Sequence, residues 1–266
     1  MMPPLRLLTL NICGPSMERA ERLFEFLIGL DLDVLVLTET RANAGTEWLL
    51  RRYREAGYTV TYSTPSVSGE RGVAVLRRVG LSGEAAKGDV TDRLVVDRFD
   101  DPWPLTVVAA YVPSRDSSAA KIARKRGFLL QLDRALKSTA SGRRTVFMGD
   151  LNLVGRDHRP RYTAFRSWEY GALEGIAGHG FIDVFAKLHP GVQAHSWIGR
   201  TGSGYRYDYA FVSDDLVANV RSCDYLHEPR ERGLTDHAAV LLTLSYGEPS
   251  GLQEIGASRK ACSVTG

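Results

Sequence analysis

Short apolar runs alternate along the chain with segments whose apolar positions recur three and four apart, and most runs stop at a polar side chain. Residues 5–12 read as a buried strand with Asn11 near its end. Pro15 and Ser16 then open a helix with Ser16 as N-cap, and Ala20, Leu23, Phe24, Leu27 and Ile28 share one face of it. Residues 34–37 form a second strand that delivers Glu39 at its C-terminal end. Thr46 is placed to cap a second helix, with Leu49, Leu50 and Tyr53 turned inward and Gly57 stopping it. Strands follow over 58–62, 72–76, 94–99 and 105–112, split by turn-forming residues as in a meander.

The second half repeats the logic. A long helix spans about 118–138, with Ile122, Leu129, Leu132 and Leu136 on one face. A strand over 145–148 ends at Gly149 and Asp150, a helical region occupies about 163–176, and strands follow near 207–212 and 238–244. No short repeat or linker divides the chain, so residues 1–246 read as one domain. From Gly247 the sequence is rich in Gly, Ser and Glu without periodicity, and 247–266 read as a loose tail. Mixed strands with helices early in each half point to an α/β fold, two stacked sheets covered by helices outside.

Composition narrows the class without fixing it. The 266 residues are 44% hydrophobic and 24% charged, which excludes disordered and fibrous chains and supplies a sizeable core. A formal net charge of +3 permits a polyanionic partner without demanding one. The basic residues cluster: Arg51, Arg52 and Arg54; Lys121, Arg124, Lys125 and Arg126; Arg143 and Arg144; Arg156, Arg159 and Arg161. Each cluster is either a solvated face or a phosphate contact, and charge alone does not choose. Cys13, Cys223 and Cys262 have neither zinc-like spacing nor an even count, which suits a reducing cytoplasm. The apolar N-terminal run, broken by Arg6, is too short for a signal peptide, and no stretch approaches membrane length. A cytoplasmic, monomeric protein without membrane or obligate protein partner is the expectation.

Candidate chemistry sits where strands end. Asn11, Glu39, Tyr111, Asp150 with Asn152, Asp208, and Asp236 with His237 all follow apolar runs. Singly, each has a plain explanation: an Asp at a strand end forms turns, and a lone His is a surface or satisfied residue. Together they supply what a hard divalent cation needs, carboxylates from Glu39, Asp150 and Asp236 and amide oxygens from Asn11 and Asn152. If the strand continues past Asp150, its period of two puts Asn152 on the same face.

The ordered strings are more specific. TLNICG at 9–14, LTET at 37–40, RGVAVL at 71–76, AAYVPS at 109–114, GDLN at 149–152, HSWIG at 195–199, YRYDYAFVS at 205–213 and TDHAAV at 235–240 resemble the endonuclease/exonuclease/phosphatase superfamily over nearly the whole chain. Within it they are most similar to the exonuclease III branch of abasic-site endonucleases. The resemblance implies a four-layer α/β sandwich with a metal site at one end of the paired sheets. It implies Mg²⁺ as cofactor, with Mn²⁺ a substitute, held by Glu39 and Asp236 with Asn11 arranging the shell. Asp150 would position and deprotonate the attacking water, and Asn152 would hold that water or a phosphate oxygen. Asp150 and Asn152 thus also stand close to the metal. His237, oriented by Asp208, would donate to the scissile phosphate, and Tyr111 would contact that phosphate or assist the leaving oxygen. Trp197 and Tyr205 would line a pocket for a sugar without its base, unless Trp197 is simply core. Arg156 and Arg159, in the basic loop 155–161, would grip the phosphate backbone, unless that loop is merely exposed.

One departure bears on substrate. Cys13 replaces a second polar residue that many abasic-site enzymes carry, and Gly14 is followed by Pro15, Ser16 and Met17. The expectation is therefore phosphodiester hydrolysis of duplex DNA, at abasic sites, from 3′ ends, or both. RNA or a small phosphoester is the alternative. A silent binding scaffold is the third reading, and the complete set of motif positions weighs against it.

Overall fold

Alternation along each strand decides how the layers form. On β1 (Leu5–Asn11), Leu5 and Leu7 enter one apolar cluster while Leu8 and Leu10 enter another. β2 (Val34–Arg41) repeats the division, Val34 and Val36 against Leu35 and Leu37. Both faces of these strands are buried, which is why they read as continuous apolar runs rather than as half-polar ones. This computed structural model describes residues 3–63, 69–81, 93–140 and 144–247. The expected tail beyond Gly247, with Cys262, and also Arg143 lie outside the described residues.

A six-stranded sheet runs in the order β12 (Val220–Leu226), β13 (Ala239–Leu244), β1, β2, β4 (Arg71–Arg78), β3 (Tyr58–Tyr62). A five-stranded sheet runs β5 (Leu94–Phe99), β6 (Leu105–Tyr111), β7 (Thr145–Asp150), β11 (Asp208–Ser213), β8 (Phe181–Asp183). Each sheet holds one parallel pair near its middle, β1 with β2 and β6 with β7, and its other pairs are antiparallel. A short ribbon pairs β9 (Trp197–Ile198) with β10 (Gly204–Tyr205). The meander expected over 58–112 is thus two hairpins in different sheets, because the chain crosses the sandwich between β4 and β5.

Between the sheets lie Leu7, Val36, Val75, Val107, Met148 and Leu242. Helix α1 (Met17–Ile28) and helix α2 (Ala44–Glu55) cover the first sheet, burying Leu23, Leu27, Leu49 and Tyr53 on Leu8, Leu10 and Leu35. Helix α3 (Ala119–Ala140) and helix α4 (Ser167–Gly178) cover the second, with Phe128, Leu132, Leu136 and Ile176 on Val108 and Phe147. Each such side chain contributes about 1.5–3 kcal/mol on leaving water. The four layers are those the resemblance implies.

Ser16 caps α1 as expected, accepting from the Arg19 N–H at 3.3 Å. The cap of α2 is Asn43 rather than Thr46: Asn43 Oδ1 accepts from the Thr46 N–H at 2.9 Å. Thr46 lies inside the first turn, fully buried, where a cap position would be partly open.

Register places the functional strand ends together. Asp150 at the end of β7 is opposite Asp208 at the start of β11. Tyr111 ends β6 beside Asp150, and Asn11 ends β1 beside Thr38 of β2. Gly149 is obligatory at this edge: a Cβ there would stand 2.0 Å from the Ala110 carbonyl oxygen.

Candidate active site

The two sheets meet at Asp150. Its Oδ2 accepts from Asn11 Nδ2 at 2.8 Å, a bond from the first sheet to the second, and its Oδ1 accepts from the Asn152 backbone N–H at 2.9 Å. Asn152 does not continue the strand. Its φ is +46°, so the chain turns out of β7, and the period of two does not apply. Asp150 and Asn152 are brought together by a side-chain-to-backbone turn instead. The Asn152 side chain donates to the Val112 carbonyl at 3.0 Å, and the Asn152 backbone carbonyl accepts from Lys125 Nζ at 2.7 Å.

Glu39 sits at a register shift between Thr38 and Thr40 on β2, with φ +54°. A bulge re-aims the side chain it carries. Glu39 Oε1 accepts from the Tyr111 hydroxyl at 2.5 Å and from Arg71 Nη1 at 3.1 Å. Arg71 Nη1 also donates to the Tyr111 oxygen at 3.1 Å. Arg93 lies over the Tyr111 ring, 4.7 Å from its centre.

Asp208 Oδ2 meets His237 Nδ1 at 2.7 Å, with both side chains buried. Candidate ligand atoms of Asp150, Asp208 and His237 lie within 4.8 Å of one another. Burial opposes charge on His237, but the Asp208 carboxylate and its hydrogen bond, with Asp150 and Asp236 behind them, raise the imidazole from 6.5 to about 9. Burial and the Asp208 charge push the Asp150 carboxyl upward, opposed by His237 and the Asn11 bond. Burial, then Glu39 and Asp150, push the Tyr111 phenol far above its ordinary value, so it stays protonated. Cys13 lies close enough to Asp236 and Glu39 that, after burial, their charges raise its thiol.

Asp236 is exposed and accepts from Trp197 Nε1 at 2.9 Å. Trp197 is therefore half-buried with a polar tie, not plain core. It joins a run of rings: Trp197 to Tyr207 at 5.9 Å, Tyr207 to Tyr205 at 5.1 Å, and Tyr205 to Tyr162 at 4.3 Å. Beside this run a cavity of about 140 Å³ opens, lined among others by Asn152, Phe165, Tyr205 and Tyr207. Arg156 and Arg159 do not join the cluster. Arg156 pairs with Glu174 on α4 at 2.5 Å, and Arg159 donates to the carbonyls of Arg156 and His158.

Several supporting residues escaped sequence reasoning. Ser196 Oγ accepts the N–H groups of Tyr207 and Asp208 at 2.9 and 3.0 Å, and Thr235 donates to the Asn11 carbonyl at 2.6 Å. Lys125, in a run left open as a solvated face or a phosphate contact, is neither: it is 1% exposed, and its Nζ donates to Glu169 at 2.8 Å. Glu169 also pairs with Arg115. Ser196 and Thr235 carried a signal, lying in the HSWIG and TDHAAV strings, as did Arg71, which heads RGVAVL; Lys125, Glu169 and Arg115 lie in none of the strings.

The donors suit a hard cation. Carboxylates of Asp150 and Asp208 beside His237, with Glu39, Asp236 and the amide oxygens nearby, offer oxygen, and among the described residues Asp208 Oδ1 is buried without a hydrogen-bond partner. No helix among the described residues is long and apolar enough to cross a membrane.

Comparison with known proteins agrees with this fold. The fold is similar to an AP endonuclease from Archaeoglobus fulgidus, with 22% identity, a TM-score of 0.74, and coverage of 91% of this chain and 100% of that one. It is similar to the 3′ phosphatase NExo from Neisseria bound to product DNA hairpin, at 17% identity and TM-score 0.76 over 91% and 100% of the two chains. The 3′-5′ exonuclease NExo from Neisseria meningitidis aligns at 18% identity and TM-score 0.74 over the same shares. Sequence comparison with curated proteins yields no match. The model of the endonuclease/exonuclease/phosphatase family matches residues 8–237. With that span matched, the chain belongs to the endonuclease/exonuclease/phosphatase family of metal-dependent phosphoester hydrolases.

Proposed function

We propose that the chain is a Mg²⁺-dependent phosphodiesterase acting on DNA, cleaving at abasic sites, trimming 3′ ends, or both. The observation that carries the reading is the convergence at one end of the sandwich of Asn11, Glu39, Tyr111, Asp150, Asp208 and His237. The names of the solved relatives, an AP endonuclease and an exonuclease and 3′ phosphatase with a DNA hairpin, support DNA as the substrate class.

Glu39 with Asp236, assisted by Asn11, would hold Mg²⁺, and Mn²⁺ would fit the same oxygens. Bound there, the ion supplies charge against the phosphoryl oxygens as negative charge develops. Asp150 orients and deprotonates the attacking water, fixed by the Asn11 and Asn152 bonds to its two oxygens. With Nδ1 tied to Asp208, His237 carries its second proton on Nε2 and presents it to a phosphate oxygen. Tyr111 keeps its proton and offers a hydroxyl to the same phosphate or to the leaving oxygen. Tyr205, with Tyr207 and Trp197 behind it, forms the wall of the small cavity. That cavity admits a sugar without its base and rejects a whole nucleoside by bulk. Arg159 is exposed and its guanidinium meets only loop carbonyls among the described residues, so it is a better phosphate-backbone contact than Arg156, which already has a carboxylate.

The test is direct. Purified protein is incubated with a duplex bearing one abasic analogue, an intact duplex, a 3′-recessed duplex, RNA and a small phosphate ester, with Mg²⁺ or with chelator. Mg²⁺-dependent scission at the abasic analogue or loss of 3′ nucleotides is the expected result. Turnover of the small ester or RNA alone removes DNA as the substrate, and silence on all five removes the enzyme reading.

A further inference from the structure

Arg71 bonds two of the site's acting groups, and no step above gives it a task. It is the first residue of β4 and lies opposite Arg41 across β2, two residues past the bulge at Glu39. Both of its bonds, to Glu39 and to Tyr111, leave from one nitrogen, Nη1. Among the described residues no partner meets Nη2 or Nε. The Arg71 side chain is 32% exposed against 12% for Glu39, so its unused edge lies on the open side of the pair.

Two other cations near the site already have carboxylate partners. Arg93, stacked on Tyr111, pairs with Glu70 at 3.0 Å, and Lys125 pairs with Glu169 at 2.8 Å. Arg71 differs: its carboxylate partner is Glu39, which the reading above assigns to a divalent cation. A cation held by Glu39 takes over that counter-charge and leaves the guanidinium with an unmatched charge beside the Tyr111 hydroxyl. A planar guanidinium with free N–H groups on one edge matches the paired oxygens of a phosphate.

We propose that Arg71 is a phosphate-binding residue of this site, taking the non-bridging oxygens of the substrate phosphate through Nη2 and Nε while Tyr111 holds the same group. The inference rests on the phosphoester reading but not on DNA. Arg71 does not merely brace Glu39 and Tyr111, and the two roles separate experimentally.

Binding of inorganic phosphate in the presence of Mg²⁺ is measured by calorimetry for the wild type, Arg71→Ala, Arg71→Lys and Arg71→Gln, alongside Mg²⁺ titrations without phosphate. Turnover of bis-p-nitrophenyl phosphate is followed on the same proteins, and far-UV circular dichroism establishes that each is folded. Arg71→Gln keeps a side-chain amide and serves should the Ala variant fail to fold. Arg71→Ala is expected to lose about 10- to 100-fold in phosphate affinity and in kcat/KM for the diester, the range for hydrogen bonds to a charged group. Mg²⁺ affinity is expected to be unchanged or tighter, Lys to recover part of the loss, and added guanidinium ion to recover part in the Ala variant. Phosphate affinity equal to wild type in every variant overturns the proposal. So does a loss that vanishes at saturating Mg²⁺, which would place the effect on Glu39, or a wild type that binds no phosphate. Arg71-dependent phosphate binding without cleavage of abasic DNA sinks the DNA reading and leaves this one standing.

Discussion

Glu39 and Asn152 both hold left-handed backbone angles, at φ +54° and +46°, without being glycine. Such residues cost about 1–3 kcal/mol each and persist where the surroundings over-determine them. Here the surroundings are a bulge and a turn that aim a carboxylate and an amide into the site. Asp150 carries a further cost. Its folded pKa is raised, so above the unfolded carboxylate range the ionised group destabilises the fold, increasingly until pH passes its folded value. Asp150→Asn is therefore expected to lower turnover roughly 10²–10⁴-fold while raising the Tm in chelator. Near-wild-type turnover would break the base assignment, and a lower Tm would break the electrostatic one. His237 has the opposite sign. Its pKa rises from 6.5 to about 9, so the stabilisation from the charged pair is complete below about 6.5 and is lost as pH rises through about 9. Nuclear magnetic resonance titration of the metal-free protein should find this imidazole near 9, and clearly lower in Asp208→Asn, since burial is then opposed only by the weaker influences of Asp150 and Asp236. An ordinary value in the wild type would refute the pairing. At this scale the residues that meet at the strand ends were legible, because the expected chemistry needs those side chains there. What was not legible is whether a charge is buried. Lys125 looks like Lys121 in sequence, yet one is sealed against Glu169 and the other pairs with Asp116 at the surface.

Strands place the site more than loops do. Asn11, Tyr111, Asp150 and Asp208 each begin or end a strand whose neighbours are tied down by register. Gly149 shows how tight that register is: β6 and β7 approach so closely that only a residue without Cβ fits opposite Ala110. Gly149→Ala is expected to push β7 away from β6, lowering the Tm and cutting kcat far more than metal affinity, because Asp150 moves while Glu39 and Asp236 do not. An unaltered kcat would show that the strands can part without moving Asp150. Elements with strong periodicity, such as α1 and β2, were readable from the chain. Thr46 was misread as a cap because Asn43 stands three residues earlier with the shorter, better-placed oxygen. The short β8 and the helix Val184–Leu188 left no period to read. Residues 220–226 alternate polar and apolar side chains weakly, as the edge strand β12 can afford to.

Across the whole molecule, both sheets are needed for one cluster. Asn11, Glu39, Asp236 and His237 belong to the first sheet or the approach to its strand β13, and Tyr111, Asp150 and Asp208 belong to the second. The stacked arrangement was legible from two similar halves, but the crossing between β4 and β5 was not, since turn residues look alike whether they join strands within a sheet or between sheets. Because Trp197 Nε1 donates to Asp236, metal binding at that carboxylate should alter the Trp197 environment. Mg²⁺ is expected to shift the fluorescence of the wild type, and the Mg²⁺-dependent part to vanish in Trp197→Phe while the ion still raises the Tm by mass action. A shift that survives in the Phe variant would place the ion elsewhere. A different property follows from the pairing of β1 with β13, in which Leu5 lies across from Leu244. The first and last strands among the described residues are neighbours, so the β13 edge of β1 stays bare until residues 239–244 have been made. The same adjacency means that a short peptide bridge could close the trimmed chain into a ring, restricting its unfolded ensemble while leaving the catalytic end of the sandwich untouched.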